Sequence, residues 1–247
     1  MTSLRRAFAC IGLEGNVSVC GQLFGFKRGQ VPPDPTGATS KVSIRGQIQS
    51  LRNLQFNLNI IAVGSDLFSD SDFIQIDYSI YRIRQIYAQV GIGVGRVQHY
   101  SVTTADALGH QYIGNDEAMK FMTNHWRIPN DGIHVFIPFL MNMPLPLELG
   151  SILGKSPRPG PCVGDNYADD ELNASVVGLY GSEQTASTFA HEVGHYLGLE
   201  HTDAVDNLMF PSANINTARQ RSKLNEEQLE IIRQHCLVTS SCLLLLS

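Results

Sequence analysis

The sequence of 247 residues has no apolar run long enough to cross a membrane. A helix that spans a bilayer needs about 20 mostly apolar residues, and the LLLL at residues 243–246 falls far short of that. Strong charge of either sign is also missing, since 18 Lys and Arg against 23 Asp and Glu leave a formal net charge of −5. That balance gives no basic face for nucleic acid, and no block of like charges marks a disordered tail. The N-terminus carries no readable export signal. Arg5 and Arg6 precede AFACIGL in the manner of one, but Glu14 interrupts the apolar run and no small-residue cleavage site stands out. Cysteine is scarce and odd in number: of Cys10, Cys20, Cys162, Cys236 and Cys242, at least one is unpaired unless a second chain supplies a partner. The redox compartment is left open.

What is present suffices for one full core, because 43% of the residues are hydrophobic. We expect a single domain over residues 51–240, preceded by an extension at residues 1–50. The extension alternates around Val17 to Phe26, has a PPDPTG loop at residues 32–37 and a second candidate strand at Lys41 to Ile48, which fits a hairpin, a strand-rich cap or a pro-segment. From Gln55 to Val63, Phe56, Leu58, Ile60 and Ala62 share one face and Asn57 and Asn59 the other, so this segment reads as a half-buried strand.

Asp70 is a plausible N-cap, and Phe73, Ile76, Ile80, Ile83 and Tyr87 then recur at intervals of three and four, as on one face of a helix. A strand follows near Ile92 to Tyr100; its GIGVG reads as glycines in a strand or bulge, since no helix starts after it to make a nucleotide loop. A helix at Asp116 to His125, strands at Ile133 to Phe139 and Ser175 to Tyr180, and a helix starting near Gln184 continue the order. Asn225 to Gln228 carry a capping box for a last helix through Leu229, Ile232 and Cys236. MNMPLPLELG, from Met141, reads as chain packed over the sheet edge, with a cleft lining as the alternative. Alternating strands and helices followed by a mainly helical end make an α/β or α+β architecture.

The chemistry is concentrated in HEVGHYLGLEH, residues 191–201. On a helix, His191 and His195 sit about 40° apart in azimuth and roughly 6 Å apart along the axis, so both imidazoles can reach one metal. Glu192, displaced by about 100°, is out of line with that pair but close enough to touch a water on the same ion. Gly198 can take positive φ and turn the chain, which would bring back His201 as a third ligand. Three imidazoles with a vacant position suit one catalytic Zn²⁺, whereas structural zinc sites are closed by four ligands and favour cysteine. Met209 lies eight positions beyond His201, within DNLMFPS at residues 206–212.

Together these residues resemble the metzincin clan of zinc endopeptidases and, within it, a divergent branch of the matrixins, whose methionine turn lies at this distance and reads Met-aromatic-Pro as Met209, Phe210 and Pro211 do. The resemblance implies a twisted, mostly parallel sheet with backing helices, an active-site helix and a Met-turn. In it His191, His195 and His201 hold the zinc, Glu192 is the general base, and Gly198, Met209 and Pro211 support the site. Protein or peptide substrates are implied as partners. Two departures are visible. Pro211 stands where astacins and serralysins carry a tyrosine that reaches the metal, and there is no acidic, histidine-rich segment of the kind with which animal matrixins bind structural zinc and calcium. The PRPGPC segment ending at Cys162 is similar to the latency cysteine of matrixin prodomains, so this thiol is a candidate zinc blocker, the alternative being a structural or paired cysteine.

The clan usually acts outside the cell, while the missing signal leaves a cytoplasmic setting open. Substrate preference and oligomeric state are not legible. Calcium at Asp66, Asp70 and Asp72, or at Asp165, Asp169 and Asp170, has no loop spacing to support it, and solvated carboxylates or helix caps fit better. His99, His110, His125, His134 and His235 have no partner at ligand spacing and read as surface or core residues. The competing function is a catalytically silent protein, zinc-stabilised for binding or held latent.

Overall fold

The computed structural model describes residues 10–13, 17–20, 54–144, 151–165, 170–211 and 220–240. In the extension, β1 (Cys10–Leu13) pairs antiparallel with β2 (Val17–Cys20). The expected loop at 32–37 and strand at 41–48 lie outside the described residues.

The remaining elements run β3 (Leu54–Val63), α1 (Asp70–Ala88), β4 (Ile92–Val102), α2 (Thr104–Ala107), β5 (Tyr112–Ile113), α3 (Asp116–His125) and β6 (Gly132–Pro138). Then come β7 (Leu140–Met141), β8 (Met143–Pro144), β9 (Ser151–Ile152), β10 (Gly154–Lys155), β11 (Ser175–Val177), α4 (Ser182–Tyr196), α5 (Glu226–Gln234) and β12 (Thr239–Ser240). In the main sheet β3 lies between β4 and β6, both parallel to it, and β11 extends the parallel set beyond β6. At the end stands β10, antiparallel to β11, and β12 pairs antiparallel with the first residues of β3. This is a mixed α/β fold with a mostly parallel sheet.

The sheet is covered on both faces. Phe56, Leu58 and Ile60 join Val135, Ile137 and Val177 in a core with α1, α4 and Ile232 of α5. Ile61 and Val63 join Phe136 and Val176 in a second core with Met119, Met122 and Trp126. Burial of each such side chain contributes about 1.5–3 kcal/mol. The expected half-buried strand is therefore corrected: β3 is buried on both faces, as strands of a parallel sheet are. Asn59 is fully buried, and its amide is satisfied by Asn130 Oδ1 at 2.6 Å and by the Gly132 carbonyl at 3.2 Å. An unpaired amide there would cost about 1–3 kcal/mol. Met141 and Met143 pack into the second core, while residues 145–150 lie outside the described set.

Local details sharpen several boundaries. Ser69, rather than Asp70, caps α1, with Asp72 completing a capping box. Because the β3–β4 register jumps from Phe56↔Val94 to Leu58↔Val97, Gly95 and Arg96 bulge opposite Asn57. A Cβ on Gly95 would lie 2.8 Å from Asn57 Oδ1, which explains a glycine in the bulge. The expected strand at 175–180 ends at Val177, and α4 begins two residues before Gln184.

Helix α4 is tied to α1 by a buried polar contact. Tyr78 donates to Glu183 Oε1, and Arg82 Nε lies 4.0 Å from Glu183 Oε2. Further along, Tyr87 Oη donates to the Ala190 carbonyl at 3.1 Å, one residue before His191. The capping box of Asn225 and Gln228 starts α5 as the sequence indicates, but the helix ends at Gln234, before Cys236. Among the described residues no helix is long and apolar enough to cross a membrane.

Candidate metal centre

Helix α4 carries His191 and His195 on one side, four residues apart, and ends at Tyr196. Gly198 has φ +98°, a left-handed conformation in which L side chains are strained. The turn is closed by Gly198 N donating to the His195 carbonyl and Leu199 N to the Gly194 carbonyl, both at 2.9 Å. The chain then returns His201 toward the helix. His201 Nε2 lies 3.2 Å from His191 Nε2 and 3.0 Å from His195 Nε2. Among the described residues, these three histidines form the group whose ligand atoms could share one ion, lying within 4.8 Å of one another.

Protonation follows from the outer partners. His191 Nδ1 faces the Leu208 carbonyl and His195 Nδ1 the Leu199 carbonyl, each at 2.8 Å. A carbonyl only accepts, so each Nδ1 carries the hydrogen and each Nε2 presents a lone pair. Burial, first among the causes, lowers the pKa of His191 to about 3 and that of His195 to about 4, and it lowers His201 as well. The set is neutral near pH 7, as metal ligands must be.

Glu192 is buried, and burial raises its pKa to about 8, with the Arg221 guanidinium opposing the rise. Its carboxylate lies against β10: a Cβ on Gly154 would come within 2.7 Å of Glu192 Cγ and 2.8 Å of Oε1. A glycine there is what lets the sheet edge and the carboxylate share one wall. Arg221 donates to Ser187 Oγ from Nε at 3.2 Å and to the Phe210 carbonyl at 2.7 Å. It thereby joins α4 to the segment after Met209.

Met209 is fully buried, in a turn closed by Phe210 N donating to the Asn207 carbonyl at 3.1 Å. Asn207 Oδ1 accepts from Met209 N at 2.9 Å, and Asn207 and Gln228 exchange amide hydrogen bonds at 2.9 and 3.0 Å. This anchors the turn to α5. A Cβ on Gly194 would lie 2.6 Å from Met209 Sδ, so the mid-helix glycine and the methionine fit each other. On helix propensity alone Gly194→Ala would stabilise by about 1 kcal/mol, but overpacking costs about 1–3 kcal/mol. We expect a net loss in the wild-type background and a gain in a Met209→Ala background. Thermal unfolding of the four proteins checks the cycle; a stabilising Gly194→Ala with Met209 in place would contradict the contact.

Pro211 is exposed at the end of the turn. Cys162 is corrected as a blocking thiol: it forms a disulfide with Cys236, so its sulfur is not free to bind a metal. The bond staples the segment after β10 to the end of α5. His134 is buried and bonded to the Ile128 backbone, His235 faces the Gly160 carbonyl at 3.1 Å, and His110 and His125 stack on the two sides of Phe121. The aspartates act locally: Asp66 accepts from Thr104, Asp72 caps α1, and Asp165 accepts from Cys162 N. Asp169 lies outside the described residues.

The sequence reading missed Gly154, Arg221, Asn207 and Gly194. Only Gly194 had a local signal, being a glycine inside a helical metal motif.

A family model described as matrixin, a peptidase family, matches residues 76–235. No curated protein matches the sequence. Among solved structures, an archaemetzincin from Methanopyrus kandleri is similar at 14% identity and TM-score 0.47, covering 72% of this chain and 94% of that one. Metalloproteinase-II from Bacteroides fragilis gives 14% identity and TM-score 0.47 over 74% of this chain and 53% of its own. The archaemetzincin from Archaeoglobus fulgidus gives 12% and 0.45 over 71% and 99%.

Proposed function

Since the chain belongs to the matrixin family of metallopeptidases, we propose that it is a zinc-dependent endopeptidase, with His191, His195 and His201 as ligands and Glu192 as general base. The observation that carries this reading is the convergence of three histidine Nε2 atoms, with Nδ1 of His191 and His195 each facing a carbonyl, beside the buried carboxylate of Glu192. That donor set fits zinc. A zinc ion bound there supplies Lewis acidity, lowering the pKa of a water to about 7 and polarising a peptide carbonyl.

The protein's own groups do the rest. Glu192 accepts a proton from the attacking water and delivers it to the leaving amine, so no covalent acyl-enzyme forms. Arg221 favours the ionised carboxylate that this role requires. The turn at Asn207 to Phe210 and the Met209 side chain keep the floor beneath the histidines rigid, and Gly198 fixes the return of His201. Beside Glu192, β10 is an edge strand among the described residues of the main sheet. An extended peptide can add to such an edge through backbone hydrogen bonds, which brings its carbonyl groups past the histidines. Residues 1–50 read as a cap or pro-segment ahead of the catalytic domain at 51–240.

The test combines metal analysis with cleavage of casein and a peptide library. We expect about one zinc per chain, loss of cleavage on removal of the metal by a chelator, and return of cleavage when zinc is added back. Bound zinc without turnover on any peptide would favour the catalytically silent alternative, and no zinc affinity would end the metal reading.

A further inference from the structure

Two guanidinium groups flank the candidate centre, and they are held very differently. Arg221 is 2% exposed, with Nε, NH1 and NH2 engaged by Ser187 and Phe210. The Arg158 side chain is 46% exposed and forms an ion pair with Glu200, itself 74% exposed, at 3.2 Å. Exposed pairs of this kind hold their partners weakly, so a carboxylate brought by a ligand can displace Glu200.

The placement of Arg158 is nevertheless well determined. The segment following β10 is tied to the sheet by Ser156 Oγ and Ser175 Oγ at 2.9 Å. It is tied to α4 by Gly160 N donating to the Tyr196 carbonyl at 2.7 Å and Tyr196 Oη donating to the Pro161 carbonyl at 2.8 Å. The Cys162–Cys236 disulfide anchors its far end. Arg158 is therefore carried on chain fixed to the helix of His191 and His195, and its partner Glu200 precedes His201.

Strand direction sets which part of a substrate would meet it. β10 runs from Gly154, which abuts Glu192, toward Arg158. A peptide paired antiparallel to β10, the slightly more stable pairing, runs the other way, so its residues before the scissile bond lie on the Arg158 side.

We propose that Arg158 is a specificity residue that pairs with a carboxylate side chain on the amino-terminal side of the scissile bond, making peptides with Asp or Glu there the preferred substrates. The proposal rests on the peptidase reading above and adds a substrate class to it. A planar guanidinium can grip a carboxylate through two parallel hydrogen bonds, an arrangement that the isosteric amide of Asn cannot match in charge.

The test uses the zinc-loaded full chain carrying Glu192→Gln, so that peptides bind without being cut. Fluorescent eight-residue peptides carrying Asp, Asn or Lys at each position in turn are titrated by anisotropy. We expect about tenfold tighter binding of the Asp peptide at one position or two neighbouring ones, weakening as salt is raised. Adding Arg158→Gln should level each pair, and adding Arg158→Glu should turn the preference toward Lys. Equal binding of Asp and Asn peptides with Arg158 in place overturns the proposal, as does an Asp preference that survives Arg158→Gln. Cleavage by the unaltered enzyme, run alongside, separates the two readings. Cleavage without acid preference removes only the role of Arg158, whereas an Arg158-dependent acid preference in binding with no cleavage removes only the peptidase.

Discussion

Glu192→Gln is expected to leave zinc content unchanged while lowering kcat/KM on the best library peptide by about 10²–10⁴-fold, the usual contribution of a positioned general base. The amide has almost the same volume as the carboxylate, so the fit against Gly154 survives, and the three histidines are untouched. What is lost is the capacity to take a proton. Metal analysis and steady-state kinetics on the same preparation check both halves, and full turnover in this variant would end the assignment of Glu192. The native carboxylate carries a related pH signature. Burial raises its pKa to about 8, even with the opposing Arg221 guanidinium nearby; a bound dication acts in the same direction as Arg221. In the zinc-loaded enzyme the acid limb of kcat/KM should therefore fall below pH 8.

The second large effect is expected at His201. Unlike His191 and His195 it is not on α4, and it reaches them only because the chain reverses at Gly198. His201→Ala leaves two imidazoles and should weaken zinc binding by at least about 100-fold, more than the loss of an outer-shell partner typically costs. In the presence of zinc this also removes about 2.7 kcal/mol of metal-linked stability per 100-fold of affinity. The zinc-dependent rise in melting temperature should shrink accordingly, while the metal-free proteins should melt alike. A full zinc complement in His201→Ala would show that the third ligand lies elsewhere.

The cluster of His191, His195 and His201 was legible because its determinants are local. Spacing of four on a helix and one glycine with positive φ are properties of eleven consecutive residues, 191–201. The helices at 70–88, 116–125 and 226–234 were legible for a similar reason, since periodicity and caps also act within a few residues. Where the reading failed, the cause lay across the chain. The Asn57 and Asn59 face of β3 looked like a solvent face because polar residues alternate with apolar ones, yet Asn59 is buried against partners 71 and 73 residues away. Gly154 earns its place only against Glu192, and Arg221 only against Ser187 and Phe210. The pairing of Cys162 with Cys236 spans 74 residues, and spacing alone cannot choose among five cysteines. The mistaken N-cap is a smaller case: Ser69 and Asp70 both have capping side chains, and only the position of Asp72 three residues after Ser69 decides between them.

The end strand β10 also bears on how such a molecule could be restrained. Sheet edges are sites where foreign strands attach, and proteins commonly shield them. Among the described residues of the main sheet, one end of the sheet is formed by Gly154 and Lys155, and Gly154 abuts Glu192. A strand that docks on this edge, whether from another copy or from another segment, would cover its outer backbone and obstruct the approach to Glu192 in a single step. Protection from aggregation and inhibition would then be one event, and any release that opens the cleft would expose the edge again.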